Sequence, residues 1–220
     1  GFSIRGPIRS PSRLYCRSCV ELRRPNYAET SGVSGCGREI YHSPANSKHI
    51  VKCLLVIGAS GFVGRNLFIE AQRHGIEVIG TYSKTCTTDL FLFDLACQRI
   101  SEALPASLLA KIDVAVICAA VGNMEVCSRN RELTHLLNVQ KTLGLIDDLD
   151  ALGKKILFLS TGAVFDGMKG HYKEDDPASP INEYGKQKFI VEKYLFTRVP
   201  SALIVRLSKV ISSSPREAHL

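Results

Sequence analysis

The sequence predicts an α/β fold: a doubly wound parallel sheet with helices on both faces, preceded by an irregular N-terminal extension. Three observations predict it. From residue 50 onward, short apolar runs alternate with helix-competent segments. Connections of that length join parallel strands through right-handed crossovers. The stretch "VIGASGFVG" sets Gly58, Gly61 and Gly64 where the first strand gives way to the first helix, and residues 1–49 lack any sustained period of 2 or 3.6 residues.

In chain order, "IVKCLLVIG" is a continuous apolar run and predicts a strand buried on both faces. "FVGRNLFIEAQRHG" follows as a helix stopped by Gly75. "IEVIGTYS" and "LFLFDL" predict the second and third strands. "CQRISEALPASLLAKI" predicts helix with a break near Pro105, and "DVAVICAA" a fourth strand. The run from Glu125 to Gly153 predicts one long helix, and "KKILFLST" a fifth strand. "INEYGKQKFIVEKYLFTR" predicts the last helix and "SALIVRLSKVIS" a sixth strand. The domain division expected is a basic extension over 1–49, a dinucleotide-type domain over 50–212, and a tail over 213–220.

A chain of 220 residues with 45% apolar content can bury one sizeable core. The net charge of +7 points to a polyanion partner until it is located. Residues 1–49 hold eight Lys and Arg against three acidic side chains, and the remainder is nearly neutral. No nucleic-acid partner is therefore expected. Arg5, Arg9, Arg13 and Arg17 recur in the manner of an organelle-targeting peptide, but Pro7 and Pro11 interrupt any helix there. A disordered basic leader is the expectation, with a cytoplasmic location. No apolar run reaches the length of a membrane span. Of the eight cysteines, Cys53, Cys86, Cys97, Cys118 and Cys127 are scattered and read as buried reduced thiols. Cys16, Cys19, Cys36 and His42 could ligate zinc, but the second pair lacks ligand spacing, so no metal is expected.

The glycine triplet has strand-before and helix-after context, which favours a pyrophosphate seated on the helix N-terminus. Ser60, Phe62 and Val63 lie within that turn. The second strand ends without a carboxylate, and Ser83 with Lys84 favours a ribose 2′-phosphate, hence NADP(H) over NAD(H). Tyr184 and Lys188 are four residues apart on a helix and share a face. A phenol beside an ammonium is expected to titrate below its usual value near 10, making Tyr184 a usable acid and base. Ser160 and Thr161 end the fifth strand at the carboxyl rim of the sheet, where such folds bind ligands. A hydroxyl there can bond a substrate carbonyl oxygen.

Together, "GASGFVG", "FDL", "CAA", "NVQKT", "LSTGAVFDG" and "PINEYGKQK", spread over about residues 52–212, resemble the extended short-chain dehydrogenase/reductase superfamily and its Rossmann domain. The resemblance is to the dTDP-4-dehydrorhamnose reductase-like, sugar-nucleotide-modifying branch. It implies that Tyr184 is the catalytic acid/base, that Lys188 lowers its pKa and holds the nicotinamide ribose, and that Thr161 orients the carbonyl with Ser160 in support. Asp94, with Leu95 beside it, matches the residue that contacts adenine, and Ala119 and Ala120 match those near the nicotinamide ribose. Asn138 matches an Asn of the preceding helix, or is a polar break in an apolar face. Cys118 stands where many relatives carry Asn. Relatives also continue past the sixth strand into a smaller lobe that closes over the sugar nucleotide, whereas this chain stops at Leu220.

The function expected is NADPH-dependent reduction of the 4-keto group of a nucleotide-linked deoxysugar. The alternatives are an NAD-dependent epimerase or dehydratase and a non-catalytic dinucleotide-binding regulatory subunit. The surface left open where the lobe packs makes a homo-oligomer or another partner the expectation.

Overall fold

A computed structural model describes residues 51–84 and 88–211. The arginine repeat, the cysteine and histidine set of the extension, and the tail over 213–220 lie outside the described residues. β1 (Cys53–Ile57) is buried at every position because helices cover both of its faces. It leads through the glycine turn into α1 (Phe62–Arg73). That helix ends where Gly75 takes a φ of +72°, a conformation open to glycine at little cost.

β2 (Glu77–Tyr82) and β3 (Phe91–Leu92) follow. β3 is far shorter than the apolar run "LFLFDL" predicts. Phe93 still donates its amide to the Tyr82 carbonyl, but Asp94 then turns the chain, with its own amide bonded to Gln98 Oε1. The helical segment around Pro105 divides as expected into α2 (Ile100–Ala103) and α3 (Ala106–Lys111). β4 (Val114–Ile117) is the fourth strand.

The single long helix expected after β4 is instead α4 (Met124–Arg129), α5 (Arg131–His135), a π-helical turn (Leu136–Lys141) and α6 (Thr142–Ala151). Asn130 breaks the first junction with φ −119° and ψ 56°. The π turn carries Asn138, whose side chain is committed to the loop after β4. Short π turns of this kind cluster at functional sites. β5 (Lys155–Thr161), a 3₁₀ turn (Gly162–Val164), α7 (Glu183–Arg198) and β6 (Leu203–Leu207) complete the described chain.

All pairings are parallel and the strand order is β3-β2-β1-β4-β5-β6. The order reverses between β1 and β4, and the carboxyl ends of the strands there open a crevice. One apolar cluster joins Leu55, Ile57, Ile117 and Phe158 to Ile146, Leu149, Val191 and Leu195 on one face. The other joins Leu54, Val56 and Val116 to Ala71. This is the predicted doubly wound Rossmann architecture. No described helix is long and apolar enough to cross a membrane.

Candidate active site

The crevice begins at the glycine turn. Gly58 has a φ of +86°, and a Cβ there would lie 2.9 Å from the Ala119 nitrogen. A Cβ on Gly64 would lie 2.2 Å from the Gly58 carbonyl oxygen. Only glycine at both positions lets the turn, α1 and the loop after β4 close together. Gly61 caps α1 with extended backbone and no side-chain bond. The Phe62, Val63 and Gly64 amides are among the first of that helix, the region with unpaired donors that attracts phosphate. This cradle fits a dinucleotide pyrophosphate.

Thr81 ties β2 to the turn: its Oγ1 accepts from the Gly58 amide at 3.1 Å and its carbonyl from the Ala59 amide at 2.8 Å. Ser83 and Lys84, two residues farther on, are exposed at the same end of the sheet. Asp94 spends one carboxylate oxygen on the Ala96 amide at 2.9 Å, which shapes the turn, and Leu95 packs against the core. Ala119 abuts Gly58, and Ala120 is exposed beside it.

The other end of this loop meets Tyr184. The phenol oxygen lies 4.0 Å from the position of a Cβ on Gly122. Asn182 fixes the start of α7 by accepting the Gly185 amide at 2.8 Å, a local cap that holds Tyr184 in the first turn. A Cβ on Gly185 would meet the Ala163 carbonyl oxygen at 2.1 Å, so glycine allows α7 to lie directly on the turn after β5. Thr161 sits in that turn. Its Oγ1 accepts the Ala163 amide at 3.1 Å, leaving the hydroxyl hydrogen to donate elsewhere.

Ser160 does not join it. Successive residues of a strand point to opposite faces, and Ser160 is buried with its hydroxyl donating to Glu192. Glu192 also binds the Arg206 guanidinium, at 2.7 Å from Nη2, and Arg206 donates to the Glu174 carbonyl. The guanidinium lies 5.0 Å from the Phe165 ring centroid. This pair locks β5, β6, α7 and the loop after β5 together, and Ser160 acts there rather than at the crevice.

Lys188 is 3% exposed. Its Nζ donates to the Leu159 carbonyl at 2.9 Å and stands 4.4 Å from the Phe158 ring centroid. Burial, opposed by nearby thiol and carboxyl charge, pushes it down to about 8. Tyr184 shifts in the opposite sense to the sequence expectation: burial first, then Cys127, raise it above 10. The reason is orientation. Lys188 faces the Tyr184 ring, 6.0 Å from its centroid, and spends its charge on a main-chain carbonyl. Cys118, beside Lys188, is pushed up to about 12 by burial and is an unreactive thiol.

Sequence reasoning passed over Gln187, Thr134 and the Glu192–Arg206 pair. Gln187 is fully buried and donates to Thr134 Oγ1 while accepting from Asn138. A polar side chain three residues after Tyr184, on its own helix face, was the available signal.

Residues 52–219 match the family described as "RmlD substrate binding domain". "Methionine adenosyltransferase 2 subunit beta" of Danio rerio is 30% identical over 157 residues, covering 70% of this chain and 46% of the relative. "Probable low-salt glycan biosynthesis reductase Agl14" of Haloferax volcanii is 32% identical over 160 residues, covering 70% of this chain and 52% of the relative. The chain thus spans about half the length of the curated relatives it matches. A solved structure of a hypothetical dTDP-4-dehydrorhamnose reductase from Sulfolobus tokodaii superimposes with a TM-score of 0.60 at 30% identity. It covers 71% of this chain and 55% of that one. The Bacillus anthracis dTDP-4-dehydrorhamnose reductase in complex with NADP superimposes with a TM-score of 0.59 at 22% identity, over 74% of this chain and 55% of that one, and shares the fold. The chain belongs to the RmlD substrate binding domain family.

Proposed function

We propose that the protein reduces the 4-keto group of a nucleotide-linked deoxysugar at the expense of NADPH. The observation that carries this reading is the loop of residues 119–122, which touches the glycine turn at one end and the Tyr184 hydroxyl at the other. A dinucleotide laid from Gly58 along this loop brings its nicotinamide end to Tyr184. Gly58, Ser60, Gly61, Phe62, Val63 and Gly64 hold the pyrophosphate, Asp94 and Leu95 border the adenine, and Ala119 and Ala120 border the nicotinamide ribose. Ser83 and Lys84 favour the 2′-phosphate because no carboxylate there repels it.

When bound, the reduced nicotinamide supplies a hydride to the carbonyl carbon and is left oxidised. Thr161 donates its hydroxyl hydrogen to the carbonyl oxygen and orients it. Tyr184, protonated throughout the neutral range because burial raises its pKa, gives its proton to that oxygen. Lys188, still mostly an ammonium at neutral pH, offsets the phenolate that forms before solvent returns the proton.

The test follows dinucleotide oxidation by the full chain with dTDP-4-dehydrorhamnose and related keto-sugar nucleotides. NADPH is expected to be consumed one for one, faster than NADH, and Tyr184→Phe to lower kcat about 10²- to 10⁴-fold with dinucleotide binding retained. A second reading, a dinucleotide-binding subunit without turnover, is favoured by the similarity to a methionine adenosyltransferase beta subunit. Equal background rates in wild type and Tyr184→Phe, with NADPH still bound, would decide for that reading.

A further inference from the structure

The loop after β4 contains no helix or strand, yet it borders both halves of the crevice. Two side chains hold its middle. The Val121 amide donates to Asn138 Oδ1 at 2.8 Å, and the Val121 carbonyl accepts from Asn138 Nδ2 at 3.0 Å and from the Cys127 thiol at 3.2 Å. This clamp works in only one orientation of the Asn138 amide. Turned by 180°, Asn138 would set its NH₂ against the Val121 N–H and its oxygen against the Val121 carbonyl.

The orientation is imposed from outside the site. Thr134 spends its hydroxyl hydrogen on the Asn130 carbonyl at 2.9 Å, so its oxygen can only accept. It accepts from Gln187 Nε2 at 3.0 Å, which turns Gln187 Oε1 toward Asn138. Gln187 Oε1 in turn accepts from Asn138 Nδ2 at 2.8 Å, leaving Asn138 Oδ1 for Val121. Thr134, Gln187 and Asn138 are 1%, 0% and 2% exposed, so water does not compete for these bonds. In such a setting a mis-turned amide costs the full desolvation of the groups it orphans, and a network with one satisfied polarity specifies one arrangement.

We infer that Thr134 and Gln187 are positioning residues, forming a directional hydrogen-bond relay that sets the Asn138 amide and thereby the conformation of the Ala119–Gly122 loop against Tyr184 and the dinucleotide. The statement about the loop stands on geometry alone, and the consequence for the dinucleotide rests on the reductase reading. Thr134 reaches the loop through Gln187 and Asn138, with the Cys127 thiol also beside its hydroxyl, and it touches no residue of the glycine turn, which makes it the informative position.

The experiment compares the full-length wild type, Thr134→Val, Thr134→Ser and Gln187→Leu by NMR-detected hydrogen exchange at Val121 and by NADPH titration. Thr134→Val keeps the shape and removes the hydroxyl, and is expected to speed Val121 exchange about tenfold and to weaken NADPH binding about as much. Gln187→Leu is expected to do the same, whereas Thr134→Ser keeps the relay and both wild-type values. Unchanged Val121 exchange in Thr134→Val and Gln187→Leu overturns the relay. So does acceleration of every strand amide in parallel with Val121, which would mark a general loss of stability. If the variants show the Val121 effect but the wild type binds no NADPH, the reductase reading fails and the relay stays in place.

Discussion

Lys188 carries an ammonium into a site that strips away its water, and the protein returns one carbonyl bond and one aromatic face. The folded protein therefore binds the Lys188 proton less tightly than the unfolded chain, at about 8 against 10.5. Below pH 8 the lysine is charged in both states and its burial opposes folding in full. Between pH 8 and 10.5 the folded state releases the proton first, so the unfolded state holds more protons and stability from this group rises with pH. The unfolding free energy of wild type, measured by urea titration against Lys188→Met, should shift in favour of wild type on going from pH 7 to 9.5. The shift should be on the order of 2 kcal/mol. A flat difference across that range would show that the ammonium is better solvated than its burial implies. Under the proposed reductase reading, the same range should see turnover fall, since a neutral amine no longer offsets the phenolate.

At the scale of elements, α7 is the part that joins the candidate site to the sheet. Its first turn holds Tyr184, its second Lys188, and its packing on the turn after β5 sets their distance from Thr161. Gly185 permits that packing because any Cβ would press into the Ala163 carbonyl. Gly185→Ala gains at most about 1 kcal/mol of helix propensity, the value for a helix interior, because Gly185 is only the third residue of α7. The clash with main-chain atoms costs more than that, about 1–3 kcal/mol of overpacking. A net loss of stability by denaturant titration, with a larger loss of turnover than of dinucleotide binding, is expected. A stabilised and fully active Gly185→Ala would mean that α7 can slide outward without disturbing the site. The segment between β4 and β5 makes a related point. Its sequence reads as one helix, but the structure spends the Asn130 break and the π turn to aim Thr134 and Asn138 inward.

Across the whole molecule, the Glu192–Arg206 pair holds together the half of the sheet beyond β4. Glu192 is fully buried and the Arg206 side chain is 16% exposed, and between them they bind Ser160 and the Glu174 carbonyl. Removing one partner leaves an uncompensated buried charge, a loss of about 3–5 kcal/mol. Arg206→Met should lower stability by that amount in urea unfolding. Adding Glu192→Gln should recover part of it, because a neutral amide still accepts from Ser160 and carries no charge to solvate. If the double variant is the less stable, the pair contributes attraction rather than mutual neutralisation. Exposed Leu203, Val210 and Ile211 lie at or just past β6, the edge of the described sheet.

The sequence by itself determined the alternation of strands and helices, the parallel crossovers, the glycine turn and the shared face of Tyr184 and Lys188. These follow from periodicity and from spacings of one helical turn, which are local properties. Tertiary structure alone decided which way Ser160 points, that Lys188 serves the Leu159 carbonyl while Tyr184 is raised and not lowered, and that Gln187 and Thr134 steer Asn138. Those outcomes depend on burial and on partners tens of residues distant, 53 positions for Thr134 and Gln187. A one-dimensional pattern can place a charge on a face; only packing determines how much water it loses and which neighbour it meets there.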